Sequence, residues 1–271
     1  MISEDATRHG PPGGSLGLAG RTVSRLGLGT MGLTGPGNWG APPNPAEAVR
    51  LLDEEGMEAL SMRGLAVRLG TAATSLYRHV ANKDELIELV VDELYGELEV
   101  PDPVGATGWR APLEHCAQSL RSVILRHPWV APALGQVGLA ELGPNLIDRS
   151  ERRLALFHAA GFPPGEAEQA MNGLLAYVIG MSISEAAYLS VLARSGRTEQ
   201  EWAECLRPAA ERALDDHPRL REEFVARRDA DPRVVRDTSF AYGLDRFLDG
   251  LQTRLAARES AKQSSTPQGS T

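Results

Sequence analysis

The chain has 271 residues, 42% of them hydrophobic and 24% charged, the balance of a soluble globular protein with one or two domains. Its formal net charge of −8 is the wrong sign for a bulk polyanion binder. Two cysteines, Cys116 and Cys205, cannot build a disulfide framework. The longest strongly apolar run, at 173–181, falls short of the ~20 residues that span a bilayer, and the Gly-rich N-terminus lacks a secretory pattern. Collagen-like, secreted and membrane classes are therefore excluded, and a cytoplasmic protein is expected.

In chain order, residues 1–43 are rich in Gly, Pro, Ser and Thr without helical periodicity. The expectation is a disordered arm with an extended piece at 22–28. Asn44-Pro45-Ala46-Glu47 then sets an N-cap, a Pro at the first helical position and a Glu at N3, predicting a helix over 45–55. Ser61 caps a short helix at 62–69, Gly70 breaks it, and a third helix is expected over 72–79. Asn82-Lys83-Asp84-Glu85 repeats the capping pattern and opens a helix at 83–97 with the stripe Leu86, Ile87, Val90, Val91 and Leu94. Further helices are expected at 109–126, 128–134, 144–160, 164–194, 198–215, 219–227 and 232–258, with Thr198 and Glu201 as a capping box. No alternating strand pattern follows residue 44, so the fold class is all-α. Residues 259–271 are expected to be a disordered tail, and no internal repeat is present.

One local reversal of charge stands out. From Ser61 to Lys83 there are Arg63, Arg68, Arg78 and Lys83 and no carboxylate, while Asp84 to Asp102 is strongly acidic. A chance gap in the acids is the bland alternative to an anion-facing surface. The two short helices around Gly70 fit a helix-turn-helix, whose second helix must enter a major groove ~12 Å wide. Thr71, Ala72, Ala73, Thr74 and Ser75 are small or hydroxylated, as that fit requires. Tyr77 and His79 can donate to phosphates, Arg78 can reach a base edge or a phosphate, and Lys83 sits at a helix N-terminus that favours anions. An ordinary three-helix corner with a solvated basic face is the alternative.

The run LLDEEGMEALSMRGLAVRLGTAATSLYRHVANKDELIELVVDEL resembles the DNA-binding domain of the TetR family of bacterial transcriptional repressors, over about residues 45–98. The resemblance implies that Arg63, Ser75, Tyr77, His79 and Lys83 hold phosphates, while Ala72, Ala73, Thr74 and Arg78 face bases. WRAPLEHCAQSLRSVILRHPWVAP and LGPNLIDRSERRLALFHAAGF are similar to the helical ligand-binding and dimerisation domain of the tetracycline-repressor branch. Against the family pattern, Pro45 cuts the first helix short. Residues 23–52 also resemble the N-terminal strand and first loop of aldo-keto reductases, whose GLGTM segment lines a nicotinamide site. The (β/α)8 barrel and catalytic tetrad of that family do not follow, so no oxidoreductase activity is carried over.

No nucleophile elbow is present, so no catalytic residue and no enzyme activity is expected. His115, Cys116 and His127 lack a metal-ligand spacing, so no metal and no cofactor is expected, and His158 reads as a satisfied or cavity-lining residue. Trp129, Phe157, Asn172 and Trp202 are candidates for an effector pocket. Tyr177, Met181, Phe240, Leu244, Phe247 and Leu251 have the helical spacing of a dimer interface, with an intramolecular core as the alternative. The expected protein has a DNA-binding domain at 44–98 and an effector and dimer domain at 105–258. It is a homodimeric repressor, associated with the bacterial nucleoid, that binds double-stranded operator DNA and is released by an unidentified small molecule, with no membrane partner. An oxidoreductase fragment or fusion, and a helical interaction protein without an operator, are the rival readings.

Overall fold

A computed structural model describes residues 15–18, 21–24, 45–57, 60–68, 70, 72–77, 80, 82–102, 108–136 and 143–265. Two strands, β1 (Ser15–Leu18) and β2 (Arg21–Ser24), pair antiparallel with Leu16 opposite Val23 and Leu18 opposite Arg21. The arm expected to lack order therefore carries a hairpin, and β2 overlaps the expected extended piece. From residue 45 onward every described element is helical.

The chain divides into two compact units, the first of residues 1–96 and 137–148 and the second of residues 97–136 and 149–271, so that one boundary falls inside a helix, between Asp148 and Arg149. In the first, α1 (Pro45–Glu55) packs on α4 (Lys83–Gly96), and α2 (Met62–Arg68) on α3 (Ala73–Leu76). Its core is Leu51, Leu52, Leu60, Leu65, Val80, Leu86, Ile87 and Val90, all buried. Local capping starts these helices. Ser61 Oγ accepts from the Gly64 N–H at 3.0 Å, and Asn82 Oδ1 from the Glu85 N–H at 2.9 Å. Glu47, read as the N3 member of a capping box, has another use. Its carboxylate accepts from Arg50 at 2.6 Å and from Arg68 at 2.8 Å, and Arg68 also reaches Glu54 at 2.6 Å.

The second unit holds α5 (Arg110–Arg126), α6 (Val130–Gln136), most of α7 (Pro144–Ala159), α8 (Glu166–Ser195), α9 (Glu199–Ala213), α10 (Pro218–Arg227) and α11 (Pro232–Ser265). The long helix α8 is central: α5 and α11 both pack along it, and α9 packs on α11. Leu113, Leu120, Ile124, Leu156, Phe157, Phe162, Leu174, Val178 and Leu248 form the core. Thr198 and Glu201 make the expected capping box at the start of α9. Ion pairs lace the helices: Arg110 on α5 meets Asp245 and Asp249 on α11 at 3.1 and 2.8 Å, and Arg121 meets Glu185 on α8 at 2.8 Å and Asp237 on α11 at 2.7 Å. Glu166 at the start of α8 meets Arg254 and Arg258 of α11. By length and composition α8 is apolar enough to cross a membrane, with a mean hydropathy of 1.5 over its most apolar window. The sequence reading missed this by counting unbroken apolar runs.

Candidate functional site

Two features of the structure can bind something. The first is the face carried by α2 and α3. Gly70, between them, has φ +62°, a left-handed conformation that favours glycine, and its N–H donates to the Val67 carbonyl at 3.1 Å. This makes the tight turn that a helix-turn-helix needs. Past it, Ala72 and Thr74 are exposed, Ala73 is half-buried, and Tyr77 is 55% exposed. Arg63 on α2 and Lys83 at the first position of α4 are exposed as well. Thr71, Arg78 and His79 lie outside the described residues, as does the side chain of Ser75. The helical span expected at 72–79 is described as helix only over Ala73–Leu76. Arg68, a member of the basic island, is not part of the anion-facing set. It is held against α1 by Glu47, Glu54 and Glu55. Those pairs push Glu47 below the usual carboxylate range, chiefly through its hydrogen bond with Arg68. A structural job for one of four basic residues was not visible in the charge pattern.

The second feature is an almost closed cavity between α5, α7 and α8. Its walls are apolar, with Leu113 and Ala117 from α5, Phe157 from α7 and Leu174 from α8. Cys116 and Arg153 also line it and are not hydrocarbon side chains. The cavity is nearly filled by its own walls, with a volume of about 10 Å³, room for about one water molecule. Arg153 is 5% exposed and donates from Nη2 to Ser150 Oγ at 3.1 Å. Burial pushes the Cys116 thiol up to about 11, against the pull of the Arg153 charge, so this cysteine is a neutral, unreactive thiol.

Of the residues expected to line a pocket, Phe157 lines this one. Trp129 is buried with its ring edge-on to His127 at 6.3 Å, Trp202 is half-buried on α9, and Asn172 is exposed. Arg153 was not among them. Its place four residues before Phe157 and three before Leu156 puts it on the apolar stripe of α7, a signal the sequence does carry. His115 pairs with Glu99 at 2.8 Å, and His158 is exposed with Nδ1 at 3.2 Å from the Phe162 carbonyl oxygen. Among the described residues no three His, Cys, Asp or Glu side chains converge as a metal site.

The residues proposed for a dimer contact divide. Phe240 and Leu244 are buried inside the protomer, which is the intramolecular alternative of the sequence reading. Tyr177 donates to the Phe240 carbonyl at 2.7 Å and stacks against its ring at 5.8 Å. Met181, Phe247 and Leu251 are half-buried. Outside that seam α8 keeps Ala176, Gly180, Ala187 and Val191 exposed, and only 22% of its most apolar window is buried in the protomer.

Residues 46–90 match the bacterial regulatory proteins of the tetR family, and residues 101–255 match the tetracyclin repressor-like C-terminal domain. The chain belongs to the TetR family. It is 35% identical over 213 residues to the transcriptional repressor DrrR1 of Streptomyces coeruleorubidus, covering 78% of this chain and 76% of that one. It is 28% identical over 208 residues to the class A tetracycline repressor of transposon 1721 from Escherichia coli, covering 76% and 88%. Among solved structures, apo ActR from Streptomyces coelicolor superposes with a TM-score of 0.65 at 28% identity over 79% of this chain and 95% of that one. ActR in complex with actinorhodin gives 0.64 at 29% identity, over 78% and 95%. This TetR-family chain is thus a DNA-binding regulator of transcription on an all-α fold. Its α1 to α4 are the helix-turn-helix unit. Of the segment likened to an aldo-keto reductase, residues 45–52 lie in α1 of that unit, and residues 25–44 are outside the described part.

Proposed function

We propose that this TetR-family chain is a homodimeric repressor that holds operator DNA through α2, α3 and the start of α4, and releases it when a small apolar molecule enters the cavity between α5, α7 and α8. The observation that carries the reading is that cavity, in a chain whose other unit presents an exposed helix-turn-helix. In this arrangement Arg63, Ser75, Tyr77, His79 and Lys83 grip phosphates, and Ala72, Ala73, Thr74 and Arg78 meet base edges. The actinorhodin complex of the related ActR supports a small-molecule ligand in this fold. A ligand acts only through different affinities for the DNA-competent and released states. Moving the population from mostly bound to mostly released takes roughly 10⁴-fold difference.

The test begins by selecting bound fragments from the source genome with purified protein, which yields the operator. A thermal-shift screen then supplies ligands, and each is added to the operator complex. Loss of operator affinity with ligands that stabilise the protein supports the sensor. Ligands that enter the cavity and leave operator affinity untouched make the chain a constitutive binder instead.

A further inference from the structure

A second concavity, apart from the apolar cavity, opens to solvent between α5, α8 and α11. It is a groove of about 510 Å³, within the ~300–1,000 Å³ range of small-molecule sites. Its lining on α5 includes Arg121, Ser122 and Leu125. These lie about 0.4 of a turn round the helix from the cavity residues Leu113, Ala117 and Leu120. On α8 the groove is lined by Glu185 and Leu189, about two turns past Val178. The exposed Gly180 and Ala187 are on the opposite side of that helix, so the groove is also separate from the open face of α8.

The floor of the groove is a set of ion pairs. Arg121 clasps the Glu185 carboxylate with two bonds, from Nε at 2.8 Å and from Nη2 at 2.9 Å. Arg236 reaches Glu185 at 3.2 Å and also pairs with Glu199. The first turns of α11 supply two poles of opposite sign at the rim. Arg233 is exposed, and among the described residues no carboxylate pairs with its guanidinium. The neighbouring Asp231 accepts instead from the Arg233 backbone N–H at 2.8 Å. Asp237 gives one oxygen to Arg121 at 2.7 Å, and its side chain is still 57% exposed. Half-buried Leu125 and Leu189 add an apolar wall, and Ser122 an exposed hydroxyl. With Glu199 counted, three guanidiniums meet three carboxylates. An ion of one sign would leave its charge unbalanced here and lie beside a pole of its own sign. We propose that the groove is a second small-molecule site, for a zwitterion of the α-amino acid class with an apolar side chain. Its carboxylate meets the Arg233 fork, its ammonium meets Asp237, and its side chain lies on Leu125 and Leu189. Held in this way it bridges α5, α8 and α11, whatever the apolar cavity contains.

The test uses three forms of one skeleton on the full chain. Phenylalanine carries both charges, N-acetylphenylalanine only the negative one, and phenylalaninamide only the positive one. Isothermal titration is run at low salt, because the poles are exposed, and at mildly acidic pH, where the amine of the amide is charged. Phenylalanine is expected to bind at least fivefold more tightly than either relative. Arg233→Gln is expected to weaken phenylalanine at least fivefold and to remove its advantage over phenylalaninamide. Arg233 is exposed and outside the ion-pair floor, so the variant keeps the fold, and the three-probe comparison on the unsubstituted chain needs no variant at all. Ser122→Trp, which fills the groove from α5, is expected to weaken phenylalanine as well. Absence of phenylalanine binding at millimolar concentration, or an N-acetyl or amide form that binds equally well, overturns the zwitterion. Phenylalanine affinity left unchanged by Arg233→Gln or by Ser122→Trp places the ligand elsewhere and overturns the site. The sensor reading rests on the other cavity and on operator release, and none of these outcomes touches it.

Discussion

At the scale of single residues, two charged positions of α4 do different work, one in solvent and one buried. Lys83 is exposed at the first position of α4, where its charge and the free N–H groups of the helix start both favour a phosphate. Lys83→Ala should weaken binding to all duplex sequences alike and lower the salt slope by about 1. Filter binding of the operator and of an unrelated duplex across a salt series reads both effects, and an unchanged slope would remove Lys83 from the interface. Asp92, nine residues on and in the acidic run of the sequence, is not solvated. It is 8% exposed, and its carboxylate accepts from the Leu146 N–H at 2.8 Å, the Asn145 N–H at 3.3 Å and the Asn145 side-chain amide at 3.2 Å. It thus caps α7, whose first residue, Pro144, has no N–H to offer. Gly143 lies so close that a Cβ there would sit 1.9 Å from Asp92 Oδ1. Gly143→Ala must therefore displace the cap. It should cost about 1–3 kcal/mol, as should Asp92→Ala by leaving the buried N–H groups of α7 without their acceptor. Because both changes remove one interaction, the double variant should be much less than additive. Urea melts of the four proteins decide it, and full additivity would refute the shared cap.

At the scale of helices, carboxylates tie the elements of each unit together, and acid should loosen both units for the same reason. Glu47 of α1 is held below the usual carboxylate range, mainly by its hydrogen bond with Arg68 of α2, and Glu166 of α8 mainly by that with Arg254 of α11. Folding therefore favours their ionised forms. Their contribution is complete above the ordinary value of 4.5 and drains away as pH falls below it toward the folded values. The melting temperature is expected to drop as pH falls below about 4.5. Arg68→Gln and Arg254→Gln should lower the plateau and flatten that acid limb, and an acid limb of unchanged steepness in both variants would show that these pairs do not set it. These ties join residues far apart in the chain, which is why the sequence did not reveal them. Where the determinant is local, it was legible. Asn82 at the start of α4 and Thr198 with Glu201 at the start of α9 act as their spacing predicts. The end of α11 was misjudged, because the polar composition after Arg258 suggested fraying. Ala256, Ala257 and Ala261 are strong helix formers, and the helix continues to Ser265. In the arm, Leu16, Leu18, Thr22 and Val23 fall in the two strands, a short period-2 signal lost in a Gly-rich background. Arg153 and Phe157 share one stripe of α7 and both line the cavity, yet only the apolar member reads from the sequence as a pocket residue. A charged group on an apolar stripe reads as an interruption until the cavity beside it is seen.

At the scale of the whole molecule, the question is what covers α8. Within the protomer α5 and α11 pack along it, and only 22% of its most apolar window is buried. Exposed Ala176, Gly180 and Ala187 would let a second helix approach closely, and a second copy of the same helix would bury the face by two-fold symmetry. A repressor that reads two half-sites needs such symmetry, because its recognition helices must stand ~34–36 Å apart to enter successive major grooves. Gly180 provides a clean test. A Cβ there meets nothing within 4 Å in the protomer, so a long side chain is accommodated in the monomer. Replacing a helical glycine is itself mildly favourable, by about 0.5–1 kcal/mol. Gly180→Arg would place two guanidiniums against each other across a two-fold contact, each without a counter-charge. The expected result is a folded monomer with an unchanged helical spectrum and an operator affinity lost along with the dimer. Light scattering after size exclusion, paired with operator titration, reads both properties on one sample. A Gly180→Arg protein that stays dimeric and keeps its operator would place the dimer contact elsewhere than this face of α8.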